Sequence, residues 1–303
     1  MKGLVVKATG SWYTVRTDYG SFMECRLPGK FRLSGEQVTN PVAVGDKVSI
    51  TREPEGTGII EEIEERRNRL IRKATHGKRG IQVIAANVDQ VVIVTSFRQP
   101  AFKTGFIDRV LVCCEAYEIA PLIVMNKTDL CSTREDSEEL EKASGLYQDL
   151  GYPMIPISAL DTASVQKFLT EHISGKTTVL TGPSGTGKTT LLNVMVPGHD
   201  LKTGEVSHAS NKGKHTTTFA RLIETDDNTS IIDTPGIREF GLVDVEPYEV
   251  SLFFPEMKPF REECHFYNCT HKHEPRCAVR AAVDGGMIAE SRYKSYLNIL
   301  ESI

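Results

Sequence analysis

Residues 182–189, Gly-Pro-Ser-Gly-Thr-Gly-Lys-Thr, match the spacing G-x-x-x-x-G-K-[ST] and sit between an apolar strand pattern and a helical one. A glycine-rich turn in that context aims backbone N–H groups at a phosphate, and Gly182, Gly185 and Gly187 supply the backbone freedom. Lys188 can neutralise β- and γ-phosphate oxygens, and the Thr189 hydroxyl can serve Mg²⁺. Pro183, Ser184, Thr186 and Thr190 complete the loop and the helix start.

A second phosphate-sensing element is expected at residues 231–236, Ile-Ile-Asp-Thr-Pro-Gly. There Asp233 would hold Mg²⁺ through water and the Gly236 N–H would meet the γ-phosphate. Between the two motifs, residues 211–219 (Asn-Lys-Gly-Lys-His-Thr-Thr-Thr-Phe) form a polar stretch suited to a switch loop. Thr217 is the favoured metal ligand in it, with Thr216 and Thr218 open. Ile237 follows Gly236 where many regulatory GTPases carry a water-orienting glutamine, so slow intrinsic hydrolysis is expected.

Asn126, Lys127, Thr128 and Asp129 end an apolar run well before the phosphate loop. A carboxylate at Asp129 can accept from the guanine N1–H and 2-amino group together, a donor pair that adenine lacks. Asn126 would brace this corner and the Lys127 stem would cover the base. Another apolar run ends at Ser158 and Ala159, whose backbone can reach guanine O6.

Cys264, Cys269 and Cys277 crowd near the C-terminus among His265, His271 and His273. Three thiolates and one imidazole would close a tetrahedral zinc shell, a structural site with no open position. The chemistry alone does not choose among the three histidines. The chain has seven cysteines, and Cys25, Cys113, Cys114 and Cys131 show no partner pattern.

Around these motifs the texture changes twice. Residues 3–64 read as five short strands, a small OB-type β-barrel, with an SH3-like barrel as the alternative. From about residue 88, β-branched runs alternate with helical patterns near 104–118, 133–150, 163–173 and 188–195, the signature of a doubly wound α/β sheet. After about residue 245 strands give way to helical patterns, one opened by Pro247 and one at the C-terminus. The expected division is 1–72, 73–245 and 246–303. Net charge is −4, so contact with nucleic acid needs a local patch, and residues 66–80 carry Arg66, Arg67, Arg69, Arg72, Lys73, Lys78 and Arg79 without an acid. Arg26, Lys30 and Arg32 add charge to a barrel loop. No stretch approaches a membrane span and no cleavable leader is evident, which points to the cytoplasm.

The motif order Asn-Lys-Thr-Asp, Ser-Ala-Leu, phosphate loop, His-Thr-Thr-Thr, Asp-Thr-Pro-Gly resembles the circularly permuted GTPases. With a barrel in front and a cysteine–histidine cluster behind, nearly the whole chain resembles the family of the bacterial ribosome small-subunit-dependent GTPase A. The resemblance implies a multi-domain chain: an N-terminal OB-type barrel, a central permuted α/β P-loop GTPase domain and a C-terminal helical zinc-binding module. It implies GTP hydrolysis to GDP, activated by the small ribosomal subunit, in late maturation of that subunit and with contacts to its rRNA. It selects His271 as the fourth zinc ligand and assigns His215 to the hydrolytic step beside Lys188 and Gly236. A GTP-dependent RNA-binding switch with incidental hydrolysis is the alternative, and a nucleotide-binding scaffold for protein partners is a third. A monomer without a membrane partner is expected. In the permuted order the Asp-Thr-Pro-Gly element runs directly into the C-terminal module, so the nucleotide state could reposition that module.

Overall fold

Apolar residues at alternate positions give the N-terminal strands one buried face. The strands are β1 (Lys2–Thr9), β2 (Trp12–Thr17), β3 (Phe22–Arg26), β4 (Lys47–Arg52) and β5 (Gly58–Ile63). They pair in the order β1-β2-β3-β5-β4, and β4 returns to β1 to close a five-stranded barrel of OB type. Val5, Tyr13, Val15, Cys25, Val48, Ile50 and Ile60 fill it. The computed structural model describes residues 1–28, 40–73, 80–198, 220–225, 228–234 and 241–303.

The basic segment singled out as a candidate nucleic-acid patch enters a hairpin, β6 (Arg69–Lys73) and β7 (Ile81–Ala86). Its register shifts between Leu70 and Ile71, which puts two buried apolar residues side by side and hides the alternation that marks a strand. Three of its arginines are used within the fold. Arg66 makes a two-pronged pair with buried Asp46 at 2.7 Å on each prong, Arg67 reaches Asp89 at 2.6 Å, and Arg72 donates to Gln82. Lys78 and Arg79 lie outside the described residues, as do Lys30 and Arg32 of the barrel loop; Arg26 pairs with Glu53 at 2.8 Å.

The central sheet follows as β8 (Gln90–Ser96), α1 (Thr104–Ala116), β9 (Ala120–Asn126), α2 (Arg134–Asp149), β10 (Met154–Pro156), α3 (Thr162–Phe168), β11 (Thr177–Thr181), α4 (Lys188–Met195), β12 (Arg221–Glu224) and β13 (Ser230–Asp233). Its order is β10-β9-β8-β11-β13-β12, parallel except for β12. Every residue of β8 is buried, as a strand covered by helices on both faces requires. From β8 the chain moves outward to β9 and β10, then returns on the other side of β8 with β11. The crevice between the ends of β8 and β11 is therefore the topological switch point, where open α/β sheets bind ligands. Strand β12, too short to stand out in the sequence, pairs on its outer edge with β1, so barrel and central sheet are continuous.

Beyond the sheet come a 3-10 turn at Pro247–Phe253, α5 (Lys258–Arg261), α6 (Ala278–Asp284) and α7 (Glu290–Leu300). The short helix expected from Pro247 is present as a 3-10 helix with that proline in its first turn, and a second proline, Pro255, opens the 3-10 turn that follows. Val250, Phe254, Met257 and Tyr296 share one core with Ile107 and Leu111 of α1. No helix among the described residues is long and apolar enough to cross a membrane.

Candidate nucleotide site and metal centre

The loop between β11 and α4 has to pass under β8, and its glycines permit this. A Cβ on Gly182 (φ +151) would lie 2.0 Å from the Val94 carbonyl oxygen, and one on Gly187 (φ +88) would lie 2.3 Å from Asn126 Nδ2. Thr186 is buried and its hydroxyl donates to the Pro183 carbonyl at 3.0 Å, while Ser184 and Gly185 stay exposed at the mouth. Lys188 opens α4 with its ammonium held by the carbonyls of Gly182 and Pro183, each at 2.7 Å; Thr189 and Thr190 follow in the first turn. Burial lowers the Lys188 pKa, opposed by Asp233, and burial raises the Asp233 carboxyl, opposed chiefly by Lys188. A sheltered carboxylate of this kind is a ligand type that suits a hard divalent cation.

The sheet brings the residues expected to read a base beside the phosphate-loop motif. Asn126, at the end of β9 and 1% exposed, donates from Nδ2 to the Thr186 carbonyl at 2.8 Å, and its Oδ1 accepts from the Ala159 N–H at 2.8 Å. One carboxamide thus joins three separate sequence motifs. Lys127 adopts a left-handed φ of +64 and donates to the Gln99 carbonyl at 2.6 Å. Thr128 donates its N–H to Ile157 at 3.2 Å, tying the base loop to the strand before Ser158. The Ser158 hydroxyl donates to exposed Asp129 at 2.5 Å, which restrains that carboxylate. His215, Thr216, Thr217, Thr218, Gly236 and Ile237 lie outside the described residues.

At the C-terminal end, the ligand atoms of Cys264, Cys269, His271 and Cys277 all lie within 4.8 Å of one another. Cys264 and Cys277 sulfurs are 3.9 Å apart, close to the ~3.8 Å edge of a tetrahedron with metal–sulfur bonds of about 2.3 Å. His271 turns Nδ1 to the thiols, 3.3 Å from Cys277 and 3.6 Å from Cys264. Burial lowers its pKa to about 4, so the imidazole is neutral and able to ligate, and burial pushes the Cys269 thiol up to about 12 in the absence of a cation. The cluster can hold a metal ion. Tyr293 and Tyr296 of α7 donate to the carbonyls of His271 and Thr270 at 2.6 and 2.7 Å, fixing the loop that carries the histidine.

The family model described as RsgA GTPase matches residues 63–243, and that of the RsgA N-terminal domain matches residues 2–60. The chain belongs to the RsgA GTPase family. The small ribosomal subunit biogenesis GTPase RsgA 2 of Bacteroides thetaiotaomicron is 46% identical over 301 residues, 99% of this chain and 96% of the relative. RsgA of Phocaeicola vulgatus matches to the same extent. Among solved structures, YjeQ from Thermotoga maritima superposes with a TM-score of 0.75 at 34% identity, covering 99% of this chain and 97% of its own. YloQ, described as a circularly permuted GTPase, gives 0.72 at 30% identity over 100% and 94%. The chain is accordingly a GTP-hydrolysing enzyme with a permuted GTPase domain.

Two features of the chain carry no motif in the sequence. The segment after β8 packs against both motifs: Pro100 lies 3.6 Å from the position of a Cβ on Gly185, and the Gln99 carbonyl accepts from Lys127. A Gln-Pro step three residues beyond the end of an apolar strand is its one sequence signal. The exit from the Asp-Thr-Pro-Gly element is anchored where the described chain resumes, for Tyr117 donates to the Gly241 carbonyl at 2.9 Å.

Proposed function

We propose that the chain is a GTP hydrolase of small-ribosomal-subunit biogenesis, activated by that subunit and docked on its rRNA. The observation that carries the nucleotide assignment is the Asn126 carboxamide between Thr186 and Ala159, which makes the base loop and the phosphate loop one rigid corner. Asp129 selects guanine. Gly182, Pro183, Ser184, Gly185, Thr186, Gly187, Lys188, Thr189 and Thr190 cradle the phosphates. Thr189, Thr217 and Asp233 are the residues that would hold Mg²⁺, which when bound neutralises β- and γ-phosphate charge. His215 orients the attacking water, taking the place of the missing glutamine, and Gly236 donates to the γ-phosphate.

The ribosomal assignment is supported by the names of relatives that match along nearly the whole chain. Cys264, Cys269, His271 and Cys277 bind one structural zinc ion, a reading supported by a donor set of three thiols and one imidazole packed into the core of the C-terminal module. The protein acts in the cytoplasm as a monomer and engages no membrane.

The deciding experiment is GTP turnover with and without purified small ribosomal subunits, for the wild type and His215→Ala. Stimulation of the wild type and its loss in His215→Ala, with nucleotide binding retained, is the expected result. Turnover of the wild type indifferent to added subunits would overturn the ribosomal reading. Asn126→Ala strips partners from two buried backbone groups and should weaken GDP binding by about 2–4 kcal/mol, read by fluorescent-nucleotide titration.

A further inference from the structure

The barrel and the GTPase sheet meet at one register pair, Lys7 of β1 opposite Arg221 of β12. Directly opposed side chains in an antiparallel pair stand on the same face, about 4.5–5.5 Å apart at Cβ, and like charges there are destabilising. Both residues are exposed, and neither side chain has an ion pair or hydrogen bond among the described residues. Two cations thus occupy directly opposed positions at the seam, and among the described residues the one carboxylate acting on either is Asp233, on the far side of Arg221 from Lys7.

The pair is part of a longer row. Glu24 of β3 opposes Thr14 of β2, Thr14 opposes Lys7, Lys7 opposes Arg221, and Arg221 opposes Asp233 of β13. The row runs from the outer face of the barrel to the carboxylate beside the phosphate loop. Its neighbours fix the face: Ile223 and Ile231, two residues from Arg221 and Asp233, pack with Leu191 and Leu192 of α4, so Arg221 and Asp233 point to the side of the sheet that carries the phosphate loop. On the barrel part of the same face, Trp12 is 44% and Phe22 66% exposed. Exposed rings beside unpaired cations are the combination that holds unstacked bases and their phosphates.

We propose that Lys7 and Arg221 form a phosphodiester-binding pair for single-stranded RNA, seated at the seam between barrel and GTPase sheet one strand away from Asp233. A phosphate between the two cations removes their repulsion, while Trp12 and Phe22 offer flanking bases a stacking surface. A free phosphate would use the cations but not the rings, which is why the chain of an RNA is the ligand chosen. The site also has a consequence for the nucleotide: an anion on Arg221 draws that guanidinium away from Asp233, whose carboxylate it otherwise helps to neutralise. The assignment deepens the RNA-docking part of the proposed function and rests on it.

The test is equilibrium binding by the full chain, saturated with a non-hydrolysable GTP analogue, to two probes across a KCl series. One probe is a labelled uridine oligomer of about 12 nucleotides, within the span of a single OB barrel, and the other is purified small ribosomal subunits. For the oligomer, Lys7→Gln and Arg221→Gln should each reduce the slope of log K against log salt by about 0.7, and the double variant by about twice that. Arg134→Gln, an exposed cation paired with Glu138 on the far helix α2, should leave the slope at the wild-type value. An unchanged slope in the double variant, or no oligomer binding by the wild type, overturns the site. A reduced oligomer slope with no wild-type binding to subunits leaves the site standing and rejects the ribosomal reading.

Discussion

Arg292 donates from Nη1 to Asp108 Oδ1 across 2.7 Å, and both side chains are closed off from solvent. The same guanidinium reaches Glu256 from Nε at 2.6 Å and lies 4.7 Å over the Phe254 ring, while Tyr147 donates its hydroxyl to Asp108 at 2.9 Å. Burial pushes the Asp108 carboxyl up and Arg292 is its main offset. One cation therefore joins α7 and the turn before α5 to α1 and α2 of the GTPase domain. Removing it leaves two carboxylates buried and uncompensated, so Arg292→Met should destabilise by about 3–5 kcal/mol, seen as a lower urea midpoint with unchanged m. The lock also opposes a free swing of the C-terminal module. Hydrogen exchange in α7 should be the same with GDP and with a non-hydrolysable GTP analogue, and faster in the nucleotide-free GTPase only if the module detaches.

The carboxylate of Asp129 is aimed by the Ser158 hydroxyl at 2.5 Å. Asp129→Asn replaces an acceptor pair with a donor–acceptor mismatch to guanine and should cost about 2–3 kcal/mol of GTP affinity while leaving ATP affinity where it was. Ser158→Ala removes only the brace and should cost about 1 kcal/mol. Competition of GTP and ATP against labelled GDP reads both variants. Selectivity retained in Asp129→Asn would remove Asp129 from the base site.

Asp136 stands at the start of α2, where its side chain accepts from Arg98 Nε at 3.0 Å and takes part in a capping box with Thr133. Those hydrogen bonds, Arg98 first, hold its carboxyl at about 2 against an ordinary 3.8. A depressed carboxylate contributes stability above its unfolded pKa and loses it as pH falls through the folded one, so this contribution fades between pH 3.8 and about 2. In Arg98→Met the carboxyl should titrate nearer its ordinary value and acid unfolding should begin at higher pH. A carboxyl titration followed by NMR checks the first and circular dichroism against pH the second.

The parts legible in the sequence are those whose chemistry is local. The phosphate loop, the Asn-Lys-Thr-Asp run and the cysteine cluster each lie within one short segment, and the five barrel strands announce themselves by alternation. What stayed hidden depends on long-range pairing. Arg292 and Asp108 are separated by 184 positions and neither sits in a motif, so a buried ion pair between them follows only from how α7 docks on α1. The β6–β7 hairpin was hidden by the bulge at Leu70 and Ile71, and three arginines of the basic stretch around it, Arg66, Arg67 and Arg72, bond within the fold to Asp46, Asp89 and Gln82. Lys7 and Arg221 are unremarkable residues in separate strands until the register sets them opposite one another.

The cysteine cluster makes the last prediction because its loss reaches beyond its own loop. Cys269 and Cys277 pack in the same core as Phe254, Tyr296 and the α1 residues Ile107 and Leu111. Thiols raised by burial resist ionising without a cation, and with a zinc ion bound they become thiolates that no longer repel one another. Cys264→Ser should therefore abolish zinc retention after gel filtration, measured by elemental analysis, and lower stability by more than about 4 kcal/mol. Chelation of the wild type should reproduce the melt of the variant. Because Arg292 lies in the neighbouring α7, the stability losses of Cys264→Ser and Arg292→Met should be less than additive, since either change undoes the docking on which the other depends. Strict additivity would mean that the metal loop and the ion-pair lock are independent.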